Sequence, residues 1–173
     1  NYALPAIPDS YYFEYEVTHG EADSFTANDT MYSTPITVSD SVYARDNGTV
    51  TGALGIGAGN GGFLGQQYML NNAAGLTSIS YYITRGYTGT KTSAVLWNMS
   101  GGVPTTIAAV TDTILYPDDS ARFYTLPIHG GAASLAPGMY TVTAVEYDST
   151  LSLAQASGIF KTGTTWVDWP TNP

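Results

Sequence analysis

The sequence contains no cysteine. That excludes disulfides and thiolate-ligated metal or redox chemistry, and it leaves the compartment open. Cations are almost as scarce. Five Lys and Arg stand against fourteen Asp and Glu, for a net charge of −9. A nucleic-acid binder needs a basic footprint, and an anionic membrane surface would repel this chain, so both partner classes are excluded. Charged residues of both signs reach only 11%, well below the usual quarter or so. No apolar run is long enough to cross a membrane as a helix. No basic-then-apolar leader opens the chain at Asn1.

What fills the space is Tyr, Gly, Thr and Ser, with 14 Tyr and 19 Gly in 173 residues. These residues suit short strands, tight turns and hydroxyl-covered faces rather than helices, which need Ala, Leu, Glu and Lys at 3.6-residue spacing. One domain of this length buries roughly 70% of its unfolded surface. The most informative stretch is Phe123–Tyr147. An apolar run, a Gly/Ala/Ser stretch, Leu-Ala-Pro-Gly and a long β-prone run follow one another. Pro137 and Gly138 predict a type II turn, with φ > 0 at the glycine. The run closes in Glu146, Asp148 and Ser149, where the chain is expected to surface.

Residues 1–40 read as an extended lead-in with one or two strands. Tyr11–Val17 alternates as a half-buried strand. Residues 41–173 read as an antiparallel β-sandwich, jelly-roll-like, with little or no helix. Expected strands are Phe63–Leu70, Leu76–Thr84, Thr92–Asn98, Thr105–Leu115, Arg122–Ile128, Met139–Tyr147 and Ile159–Val167, at intervals of about ten residues with turn chemistry between them. The core is expected to hold Ile79, Tyr81, Ile83, Val95, Leu126, Tyr140 and Val142, with Trp97 beside them.

Four stretches occur in order: Tyr43-Ala-Arg-Asp-Asn-Gly48, Gly55–Gln67 with its Gly65-Gln66-Gln67, Leu135-Ala-Pro-Gly-Met-Tyr140, and Gly163-Thr-Thr-Trp166 followed by Trp169. Together they resemble β-sandwich domains of large secreted Bacteroidota proteins exported by type IX secretion. The resemblance covers about residues 43–173. It implies an extracellular or cell-surface location and partners among other surface or secretion-system proteins or further domains of a longer parent chain; it supplies no catalytic residues to carry over. The chain reads as one piece of such a parent, with a last strand expected beyond Pro173. Asp-Ser and Asp-Thr pairs also resemble the O-glycosylation rule of these organisms. They mark Thr30, Ser41, Thr113, Ser120 and Ser149, although such pairs also mark ordinary turns.

The remaining constellations are weaker. Gly57–Gly62 contains G-x-G-x-x-G, but a strand follows it where a dinucleotide fingerprint needs a helix, so a flexible or bulged loop is expected. His19 and His129 sit in separate loops, and no G-x-S-x-G elbow accompanies them. Glu14 with Glu16, and Glu146 with Asp148, read as solvated rims rather than a glycosidase pair. Asp46, Asp118, Asp119 and Asp148 offer hard oxygen ligands that calcium would take, or are simple turn acids. Trp166 and Trp169, with Gly57, Asn60 and Phe63 of the glycine-rich loop, are the candidate contacts for a partner or a glycan. The expected function is a non-enzymatic adhesion, structural or protein-interaction module. The alternatives are a carbohydrate-binding module and an accessory domain of a secreted hydrolase.

Overall fold

A computed structural model describes residues 7–18, 20, 29–33, 35–38, 41–46, 48–57, 60–147, 151–156 and 162–168. All regular structure among them is β, in several antiparallel sheets, as the composition required. Two compact units make up the chain, Asn1–Ala44 and Arg45–Pro173.

The first unit is a ribbon. Strands β1 (Asp9–Tyr11) and β4 (Ile36–Val38) pair antiparallel, and β2 (Glu14–Glu16) pairs with β3 (Thr30–Tyr32). The half-buried strand expected over Tyr11–Val17 is instead two short strands with Tyr15 and Val17 exposed. Tyr11 and Phe13 remain half-buried; among the described residues of this unit each strand has a single partner and no sheet larger than two strands forms, which leaves little to bury the rest of the face against. The aromatics pair with one another: the Tyr12 and Tyr32 rings meet edge-on at 5.5 Å. The Tyr32 hydroxyl donates to Glu14 Oε1 at 3.1 Å.

The second unit holds β5 (Gly52–Leu54), β6 (Gly62–Leu70), β7 (Ala74–Leu76), β8 (Ser78–Ile83), β9 (Lys91–Ser100) and β10 (Val103–Val110). These are followed by β11 (Ile114–Leu115), β12 (Arg122–Pro127), β13 (Ala133–Leu135), β14 (Gly138–Glu146), β15 (Leu153–Gln155) and β16 (Thr165–Asp168). One sheet runs β10-β9-β14-β6-β16, with β11 also on β9; the other runs β12-β8-β15-β5; β7 and β13 form a separate pair. The run expected as one strand over Thr105–Leu115 is broken after Val110, and the expected last strand is seen from Thr165 onward, with residues 157–161 outside the described set.

The core follows from period-two alternation. On β8, Ile79, Tyr81 and Ile83 are buried; across the ladder Leu126 faces Ile79 and Tyr124 faces Tyr81. Leu64, Leu70, Ala94, Leu96, Tyr140 and Ala144 close it from the larger sheet. Val95 is also buried, whereas Val142 is only half-buried.

Three local expectations are corrected. Gly138 does not take φ > 0; it already opens β14 opposite Leu70. The corner is set instead by the Tyr140 hydroxyl, which donates to the Ala136 carbonyl at 2.8 Å, a tyrosine corner of the kind found at Greek-key connections. The glycine-rich segment is not a free loop. A Cβ on Gly55 would overlap the Leu151 carbonyl, and one on Gly65 would overlap the Val142 carbonyl, so these glycines exist to let backbones touch. Glu146 does not surface. It is 3% exposed, and its two carboxylate oxygens accept the Ile56 and Leu151 N–H groups at 2.8 and 2.9 Å. A carboxylate so used is a clamp between segments distant in sequence, held in place because burial without partners would be costly.

Candidate binding cleft between the two sheets

The sandwich is not filled throughout. β15 leaves β8 after one pair, Leu153 opposite Ile83. The Thr84 N–H and hydroxyl secure that point by donating to the Ser152 carbonyl at 2.8 and 3.1 Å. Beyond it β15 pairs with β5 over three residues instead. A cleft of about 730 Å³ opens beside β8 and reaches the inner face of the larger sheet. Its floor is apolar: Leu64, Val142 and Ala144. That is why Val142 is only half-buried. Ile79 and Tyr81 form one wall, and Leu54 and Leu153 the other. The volume lies in the range of small-molecule sites, which are mostly apolar with a few placed polar groups.

Polar side chains share the lining. Strand β6 alternates inward as Leu64, Gln66, Tyr68 and Leu70, so a glutamine amide stands where a filled core would carry an aliphatic side chain. Gln66 Nε2 donates to Thr165 Oγ1 at 2.9 Å. Arg45 lies over the Tyr68 ring, with its guanidinium carbon 5.6 Å from the centroid. Burial raises the Tyr68 phenol above its ordinary pKa, and the Arg45 charge partly opposes that rise. Asp46 also lines the cleft; its Oδ1 accepts the Gly48 N–H at 3.0 Å, and its charge adds to the rise at Tyr68. The sequence signal for the cleft was Gly65-Gln66-Gln67, a polar interruption of an apolar strand.

The outer face of the larger sheet is a second aromatic surface. Trp97, expected in the core, lies there half-buried, because it faces Thr141 and packs on the side opposite to Leu96. Its Nε1 donates to Thr143 Oγ1 at 3.0 Å. Phe63 meets it edge-to-face, with centroids 5.3 Å apart and planes at 89°. Trp166 is half-buried opposite Gly65, its Nε1 3.5 Å from Gln67 Oε1. Trp166, Phe63 and Trp97 together line a shallow hollow of about 280 Å³. Trp169 lies outside the described residues. Gly57 and Asn60 close a turn, the Asn60 N–H donating to the Gly57 carbonyl at 3.2 Å, away from these aromatics in the lining of neither cavity.

Of the acids expected for calcium, Asp46 sits in one turn and the adjacent Asp118 and Asp119 in another. Asp118 accepts the Ser120 N–H at 2.8 Å and pairs with Arg122 at 2.9 Å. Asp119 accepts both the Thr88 N–H and its hydroxyl, at 2.9 and 3.0 Å. The backbone donors Ser120 and Thr88 hold the two carboxyls below the usual range. Asp148 lies outside the described residues. Among the described residues, no three metal-ligating His, Asp or Glu side chains come together. Of the candidate O-glycosylation residues, Thr30, Ser41, Thr113 and Ser120 are exposed, and Ser149 lies outside the described set. The Thr113 hydroxyl is 3.1 Å from that of Tyr147. His129 is exposed and pairs with Asp112 at 2.5 Å, while His19 is not among the described residues.

No family model, no curated protein and no solved structure matches the chain.

Proposed function

We propose that this chain is a non-enzymatic binding module of a secreted or cell-surface protein, and that the cleft between its sheets holds the ligand. The observation carrying the reading is the cleft itself: about 730 Å³, lined by an apolar group around Leu64, Val142 and Ala144 together with several polar side chains. The one deeply buried carboxylate among the described residues, Glu146, has both oxygens taken by backbone donors, which is a structural arrangement and not that of an acid poised for proton transfer. The extracellular setting rests on the resemblance to type IX secretion substrates. In that setting an adhesion or display role, with surface proteins or neighbouring domains as partners, suits a chain with few charges and exposed aromatics on its ribbon.

A carbohydrate-binding module is the second reading, and Trp166 is the observation that favours it. Edge-to-face packing of Phe63 on Trp97 offers no flat two-ring platform, so a sugar would stack on Trp166 alone. Melting temperature measured across a defined panel of small molecules, peptides and oligosaccharides tests the proposal, since a ligand that binds only the folded state raises it. A stabilising compound recovered chemically unchanged, and weakened by substitutions at Leu54 or Val142, is the expected result. A stabilising compound recovered hydrolysed contradicts the non-enzymatic reading. An oligosaccharide lost on Trp166→Ala alone moves the site to the outer face.

A further inference from the structure

We infer that the cleft selects amphipathic anions: compounds with an apolar body of aromatic-ring or short-acyl size and one carboxylate, sulfonate or phosphate at the end. This inference rests on the reading of the cleft as a ligand site and adds the chemistry of its occupant. Three observations carry it. The floor and walls, Leu64, Val142, Ala144, Ile79 and Leu153, provide an apolar surface inside the sandwich and no charge. The one cation lining the cleft among the described residues is Arg45, at the mouth, in a chain with only five Lys and Arg. Arg45 has no ion-pair partner there; the ion pairs between described residues are Arg122 with Asp118 and His129 with Asp112.

The Arg45 guanidinium is also pre-positioned. It stacks on Tyr68, whose ring is itself part of the lining, so the planar fork loses little freedom when it meets an anion. Asp46 is the competing charge. It lines the cleft too, with one of its two oxygens, Oδ1, engaged by the Gly48 N–H. Gln66 Nε2 and the hydroxyl of Thr165 supply neutral polar contacts beside the mouth. An anionic head would then meet the guanidinium while the apolar body replaces water over Val142 and Ala144. A cationic head would face Arg45 across a partly desolvated space, where like charges repel strongly.

Two dyes with nearly the same ring system separate the head from the body. Anilinonaphthalene sulfonate carries the anion; N-phenylnaphthylamine does not. Fluorescence titration of the folded chain is expected to show one site for each, with the sulfonate bound more tightly. Arg45→Gln should weaken the sulfonate by about tenfold or more, the usual worth of a hydrogen bond to a charged group, and leave the neutral dye unchanged. Raising ionic strength on the unsubstituted chain should give the same contrast without any substitution. Leu54→Trp, at a partly exposed wall position, should fill the cleft and weaken both dyes. If the neutral dye binds but Arg45→Gln and salt leave the ratio of the two affinities as it was, the anion inference is wrong and the cleft stands. If neither dye binds stoichiometrically, or if a folded Leu54→Trp variant binds both as before, the cleft reading itself is wrong.

Discussion

Removing the Glu146 clamp should cost more than its single side chain suggests. The carboxylate is 3% exposed and serves two donors, Ile56 N at 2.8 Å and Leu151 N at 2.9 Å. Glu146→Ala leaves both N–H groups buried without an acceptor, at about 1–3 kcal/mol each, and opens a small void. Relief of the desolvation held by the carboxylate offsets part of this. A net loss of about 3–5 kcal/mol follows, and at 2–4 °C per kcal/mol for this chain length the melting temperature should fall by roughly 10 °C. Glu146→Gln keeps the shape but turns one acceptor into a donor, so about 1–2 kcal/mol is expected. Urea unfolding gives the stabilities, and amide hydrogen exchange gives the location: the Ile56 and Leu151 amides should lose protection selectively. Because Gly55 and Leu151 touch next to the β5–β15 wall, the Ala variant should also bind cleft ligands more weakly. A Glu146→Ala variant within about 0.5 kcal/mol of the parent, with both amides still protected, would refute the clamp.

Ile79→Ala should cost about 2–5 kcal/mol, measured by the same unfolding, since Ile79 is 5% exposed and packed in the central cluster. Tyr116 is 2% exposed with its hydroxyl unpartnered among the described residues, and burial pushes its pKa up to about 12. Its neutral phenol therefore favours the fold fully below pH 10 or so, and that contribution is lost as pH rises through about 12. Tyr116→Phe should cost little at neutral pH and flatten that alkaline loss, with an unaltered alkaline limb as the contrary result. Excess chelator should leave the melting temperature unchanged, because Asp46 and the adjacent Asp118 and Asp119 each accept local N–H groups and no three ligating side chains come together among the described residues; a fall of several degrees would mean that the chain does bind calcium.

The sandwich was legible because its strands obey a two-residue period that local sequence carries. Ile79, Tyr81 and Ile83 declare one face, and Ser80 the other. What local pattern does not carry is which layer lies opposite. Tyr11–Val17 alternates as well as β8 does, yet it belongs to a ribbon with no second sheet of its own. Trp97 reads as core because both faces of β9 are apolar, yet Leu96 points inward and Trp97 outward. Glu146 reads as a rim because an acid ending a strand normally meets water; its partners Ile56 and Leu151 come from segments that only the fold brings together. The cleft was hidden for the same reason. It is made by the parting of β15 from β8, a tertiary event, and only Gln66 on an inward position hinted at it.

The claim that the cleft is the binding site is tested most directly by titrating N-phenylnaphthylamine into isotope-labelled protein and following every backbone amide by NMR. The account predicts shifts that saturate together at Leu64, Gln66, Ile79, Val142, Ala144 and Leu153, the residues that line the space between the sheets. Shifts confined to Phe63, Trp97, Thr143 and Trp166 on the outer face, or no saturable shift at all, would contradict it.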